Sequence, residues 1–205
     1  MKQTILLVLL SLFFANGFGQ DDALLRQLEQ EQKTDTALLP PKIMITQRML
    51  WGEKGLLRKW NIAPLTIDQR KKEMQTRRFM LKTHQILGFV TLGGMVAQGI
   101  VGSQLYNGKS DLKSAHEALA TGINITYTMG ALTSLFAPPP LISRNKQMSS
   151  VKIHRWLAIV HMSGMIATNI LANNIDANPS LKPYHRAAAY TTFASFAASM
   201  VVITF

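Results

Sequence analysis

Four of the five histidines in this 205-residue chain occupy corresponding places. His84, His116, His154 and His185 each stand near the start of a long apolar stretch. Their settings are Lys-Thr-His-Gln, Ser-Ala-His-Glu, Lys-Ile-His-Arg and Pro-Tyr-His-Arg. Imidazole ligates iron and other transition metals, and its second ring nitrogen needs an acceptor that fixes the tautomer. Cysteine is absent, which excludes disulfides, thiolate zinc sites, cysteine-held iron–sulfur clusters and covalently attached c-type haem. The chemistry left to these residues is that of a metal cofactor held without a covalent link. One histidine at a membrane boundary is ordinarily a helix-end hydrogen bonder. Four of them, one to each apolar stretch, form a pattern that this role does not explain. The fifth, His161, lies two turns beyond His154 on the same helical face, roughly 10 Å along the axis. It is an alternative to His154 as ligand, a group supporting the ligand, or a site for a quinone or a proton.

The elements that must position these residues are set by the apolar pattern. Hydrophobic residues make up 47% of the chain and charged residues only 16%, with a net charge of +11. Most of the charge precedes residue 83. This distribution argues against disorder and against a soluble basic protein that binds nucleic acid. Residues 1–19 have one Lys, a short apolar run and small residues at Gly17 and Gly19, the form of a secretory signal peptide. Residues 20–41 read as a flexible polar segment. Residues 42–82 read as a basic amphipathic segment on a membrane surface, with Trp51, Trp60 and Leu56 among Arg48, Lys54 and Lys59. The alternative for that segment is a small packed domain edge, because Gly52 and Gly55 weaken any single helix. Thr66-Ile67-Asp68-Gln69 has the form of a capping box. A helix from there runs through Arg70-Lys71-Lys72 and Arg77-Arg78, expected to be a solvated or lipid-facing charge run.

Residues 83–103, 115–136, 153–173 and 184–205 are apolar stretches of bilayer-spanning length. Asn107-Gly108, Pro138-Pro139-Pro140, and Pro179 with Pro183 break the chain between them. Short links force antiparallel neighbours. The expected fold is therefore all-α, a transmembrane up-down-up-down four-helix bundle over 83–205 with an exported N-terminal amphipathic segment. That topology puts His84 and His154 at one depth, and His116 with His185 at the other. Each pair is placed to clamp one haem iron from both faces. Small residues crowd the first and fourth stretches, Gly88, Gly93, Gly94, Gly99 and Gly102 among them. They allow close helix packing or room for a flat ligand. Gln98, Asn124 and Asn169 are polar groups at membrane depth that need partners inside the bundle.

The succession His84, His116, His154, His185, with local details such as His84-Gln-Ile-Leu-Gly88 and Lys152-Ile-His154-Arg-Trp156, resembles the four-helix core of the cytochrome b561 family. The likeness covers about residues 80–205. It implies two b-type haems, ligated by His84 with His154 and by His116 with His185, and electron transfer across the membrane. The chain departs from animal and plant members in lacking flanking fifth and sixth spans, and its donor and acceptor are not specified (a quinol or a periplasmic carrier fits). Arg155 and Arg186, each beside a ligand position, are candidates to neutralise haem propionates. The signal peptide puts the mature N-terminus outside, in the periplasm of a bacterial inner membrane, in contact with lipid. The excess of Lys and Arg on that same side points the opposite way, and we keep the signal-peptide orientation. The rival class is a cofactor-free structural or assembly subunit of a larger membrane complex, which would use the small-residue faces for packing alone.

Overall fold

The computed structural model describes residues 38–141 and 149–204. The signal-peptide reading of 1–19, most of the polar segment 20–41, and the basic residues Arg144 and Lys146 lie outside them. Among the described residues every regular element is helical: α1 (Ile45–Trp51), α2 (Leu56–Lys59), α3 (Ile67–Tyr106), α4 (Lys113–Leu135), α5 (Ser150–Asn174) and α6 (Lys182–Thr204). Short 3-10 turns at Ser110–Leu112 and Pro179–Leu181 lead into α4 and α6.

The helices begin and end where local chemistry requires. Thr66 caps α3 by accepting from the Gln69 amide at 3.3 Å, and Asp68 in the first turn complements the positive helix end. No proline interrupts the next 40 residues, so α3 runs for about 60 Å. It stops at Asn107-Gly108, where Gly108 takes φ of +100°, a conformation that suits glycine.

Interhelical contacts fix the arrangement. Thr91 on α3 donates to Thr126 on α4 at 2.9 Å, and His84 on α3 meets Gly130 on α4. These contacts run antiparallel. The same holds for α5 and α6, where His154 meets Ser199 and Thr168 meets His185. Contact within the hairpins α3/α4 and α5/α6 is far more extensive than contact between them. At Gly164 in α5, any side chain would collide with Thr192 of α6, so this glycine sets how closely that hairpin closes. Between hairpins, Asn124 of α4 and Asn169 of α5 exchange two hydrogen bonds at 2.8 and 3.0 Å. Lys113 and Asp176 form an exposed ion pair at one end of the same two helices.

Polarity is distributed inside-out. Buried positions in the four long helices include Thr91, Thr192, Ser195, Ser199 and His161, with Ile123, Met165 and Phe196. Large aliphatic side chains face outward instead. Val90, Ile100, Ile125, Ile166, Ile170 and Val201 are 47% to 61% exposed. Two helical stretches, α3 and Pro179–Thr204, are long and apolar enough to cross a membrane by length and composition. α4 and α5, at 23 and 25 residues, carry polar groups along their apolar stretches, such as Thr121, Asn124 and Thr128, or His161, Asn169 and Asn173.

The segment before α3 folds back over one end of this unit, which we term the cap end. Thr46 and Trp51 of α1 donate to the carbonyls of Leu135 and Phe136 at 2.7 and 2.9 Å. They thereby satisfy acceptors that a helix terminus leaves free. Arg58 forms a fork onto Glu73 and also reaches the carbonyls of Trp51 and Ala63. Arg70 joins the same carboxylate, and Glu73 is 1% exposed. The expectation of one solvated charge run thus holds for Lys71 and Lys72, which are exposed, but not for Arg70. A helix rotates about 100° per residue, so adjacent basic residues face different surroundings. Prolines carry no amide hydrogen, and the carbonyls of Pro138, Pro139 and Pro140 are met by Arg77 and Arg70 at 2.7 to 3.3 Å. Burial pushes the Arg70 guanidinium below its usual value, and the adjacent Glu73 carboxylate opposes that shift.

Candidate functional site

The topology brings His84, His116, His154 and His185 together in two pairs, each formed across the hairpins, although His84 lies near the middle of α3 and not at its start. At the cap end the ring centres of His84 (α3) and His154 (α5) are 6.2 Å apart, with planes at 87°. At the opposite end His116 (α4) and His185 (α6) are 6.4 Å apart, with planes at 72°. The interval between the pairs follows from His154 and Thr168, which lie at the two ends of one helix segment about 21 Å long.

Hydrogen bonds select the tautomer of each ring. A carbonyl oxygen only accepts, so a ring nitrogen bonded to one must carry the proton. His84 Nδ1 donates to Gly130 O at 2.9 Å, His154 Nδ1 to Ser199 O at 3.0 Å, and His185 Nδ1 to Thr168 O at 3.0 Å. In the neutral form each of these rings carries its free lone pair on Nε2, the atom that binds a metal. In every case the carbonyl belongs to the other helix of the same hairpin.

His116 is held differently. Its Nε2 lies 3.2 Å from Gln98 Nε2, which also donates to the His116 carbonyl at 3.1 Å. The carbonyl orients the Gln98 amide with its nitrogen toward His116, so His116 Nε2 accepts and its proton resides on Nδ1. That Nδ1 is buried without a partner, and so is Gln98 Oε1. Gly102 makes room for this ring: a Cβ there would lie 2.8 Å from His116 Cε1.

His161 stands between the pairs and takes part in neither. It is 7% exposed, its Nδ1 is 2.7 Å from the Tyr127 hydroxyl, and its ring packs edge-on against Phe196 at 5.1 Å. Of the two histidines of α5 that the sequence offers opposite His84, the structure therefore places His154 there. Arg155 is exposed. Arg186 is also exposed, and its guanidinium lies over the rings of Tyr106 and Tyr190 at 4.6 and 5.4 Å. Among the described residues, no three or more His, Asp or Glu side chains converge on one point to hold a metal. A metal at either pair would have two protein ligands.

Sequence reasoning does not identify Gly130, Thr168 and Ser199 as site residues. Their contribution is a backbone carbonyl, which any residue type can supply. Gln98 and Tyr127 could be found, the first as a polar group at membrane depth and the second as a hydroxyl within reach of a buried imidazole. Comparison with known proteins adds nothing to this geometry, because no protein family, curated protein or solved structure matches the chain.

Proposed function

We propose that this chain is a membrane-embedded cytochrome in which α3–α6 form an up-down-up-down bundle and two b-type haems are held by His84 with His154 and by His116 with His185. The observation that carries this reading is the spacing of the ring pairs. With metal–nitrogen bonds of about 2 Å and a ring centre about 1.1 Å behind its nitrogen, two imidazoles that shared one metal from opposite sides would lie roughly 6.2 Å apart. The observed separations are 6.2 and 6.4 Å. Two imidazoles with no third protein donor beside them would leave the rest of a metal's coordination to a cofactor such as haem.

The haems supply one-electron chemistry when bound. The chain's own contribution is binding and tuning. Carbonyls behind His84, His154 and His185 hold each ring in the metal-ready tautomer and raise its basicity. Contact between the hairpins is sparse beside that within them. The outward aliphatic surface suits a lipid surround. Exposed aromatics stand at both ends, Phe79 and Trp156 at the cap end and Tyr106 and Tyr184 at the other, as in membrane proteins anchored at two interfaces. We place the protein in a bacterial inner membrane with its cap end in the periplasm. It carries electrons between carriers on the two sides, with a quinol or a periplasmic protein as donor or acceptor.

The test is a reduced-minus-oxidised visible spectrum, with haem quantitation per chain, on full-length protein purified in detergent from haem-supplemented cells. The expected result is a b-type spectrum at about two haems per chain. A colourless, folded chain overturns the reading and points to a cofactor-free structural subunit.

A further inference from the structure

We infer that Gln98 is a positioning residue for His116 and the group that sets the properties of that metal site separately from the other. The inference rests on the haem reading above and concerns the one ligand position that the backbone does not supply. Three of the four paired rings donate Nδ1–H to a helix carbonyl. The fourth, His116, has a buried Nδ1–H with no acceptor among the described residues, and the Gln98 Oε1, an acceptor likewise buried without a partner, complements it. A buried donor or acceptor left unpaired is destabilising, so two complementary ones on adjacent side chains favour any rearrangement that pairs them.

The same glutamine occupies the nitrogen that would bear the metal. Gln98 Nε2 is 3.2 Å from His116 Nε2, and one lone pair cannot serve both an amide donor and an iron. Metal bonding therefore displaces the amide nitrogen. A turn of the Gln98 side chain that brings Oε1 to Nδ1–H then satisfies both orphaned atoms at once. His116 gains the support that the other three rings have from the backbone, and the exchange consumes no redox equivalent and moves no proton between residues. Gly102 permits the adjustment, because the ring there faces no side chain on that glycine.

The consequence is asymmetry. An acceptor on Nδ1–H makes imidazole a stronger donor to iron, favours the ferric form and lowers the potential. At the cap-end pair, changing that acceptor means moving a helix. At the His116 site it takes one side chain.

The experiment is a potentiometric titration of purified, haem-loaded full-length protein and of its Gln98→Leu and Gln98→Glu variants. His84→Ala and His116→Ala proteins assign the two components. Gln98→Leu should raise the His116-site midpoint, and Gln98→Glu, a stronger acceptor, should lower it. A tenfold change in the ferric-to-ferrous preference corresponds to about 59 mV for a one-electron couple. The His84-site midpoint should stay fixed in both variants. Selective loss of the His116-site haem in Gln98→Leu, with the other retained, also supports the assignment. If that variant does not fold, the downward shift in Gln98→Glu decides. Two haems with unmoved midpoints, or equal shifts at both, overturn the role of Gln98 and leave the haem reading intact. A wild-type chain that binds no haem overturns both.

Discussion

The two ends of the helical unit carry similar pairs of imidazoles in unlike surroundings. At the cap end both rings lean on backbone carbonyls, and a folded segment with a buried Arg58–Glu73–Arg70 cluster stands directly beyond them. At the opposite end one ring leans on a carbonyl and the other on a glutamine, and beyond them lie short turns joined by the exposed Lys113–Asp176 pair. A carbonyl in mid-helix is fixed by the fold, whereas an amide side chain can rotate or be replaced. The difference teaches that a single helical unit can set the surroundings of one imidazole pair by its architecture and leave those of another to a single side chain.

The largest test of this contrast is ligand removal. His84→Ala and His116→Ala should each abolish about one of the two haems, read as haem per chain, and the remaining spectrum should differ between the variants. Loss of both from either change would mean one shared site or global unfolding, and circular dichroism separates the two. Next is Glu73→Ala, which leaves two guanidinium groups buried without their carboxylate. Breaking a buried ion pair costs about 3–5 kcal/mol. The cap should detach, with a red shift of Trp51 emission and faster proteolysis before α3, while the His116–His185 site keeps its midpoint. A smaller effect is expected for Asn169→Ala, which removes the reciprocal bonds that tie the two hairpins between the ends. Side-chain hydrogen bonds in such settings average about 0.6 kcal/mol, so a modest fall in melting temperature should destabilise both sites equally.

The smallest effect belongs to Lys113→Met. Lys113 Nζ donates to the Asp176 carboxylate, and that hydrogen bond raises the Lys113 pKa above its usual value. A raised folded-state pKa stabilises the protein below the ordinary lysine range, about 10.4, and that contribution disappears as pH rises through the folded value. The wild type should therefore melt slightly above the variant near neutral pH. The gap should shrink in high salt and close in strongly alkaline buffer.

The long helices are legible in the sequence because apolar runs and their breaks act locally. α4, Lys113–Leu135, occupies the stretch expected at 115–136, and Asn107-Gly108 ends α3 as its turn chemistry requires. The histidine pairs follow from the order of the helices alone. The cap is less legible. Arg58 and Glu73 come from different elements, and nothing in Arg70-Lys71-Lys72 marks the first residue as the one that turns inward. The carbonyls of Gly130, Thr168 and Ser199 leave no side-chain signature at all. Gln98 does leave one, since a polar residue among apolar neighbours demands a partner, but its partner is found only once α3 and α4 lie side by side.

Each hairpin contributes one imidazole to each pair. In order of synthesis, His84 and His116 emerge first and each waits for a mate that has not yet been made. His154 completes the first couple, and the second stays open until the final helix delivers His185. Neither hairpin holds a whole pair, so a chain severed between them is left with single rings at both ends, whereas one that stops before the final helix keeps only the first couple.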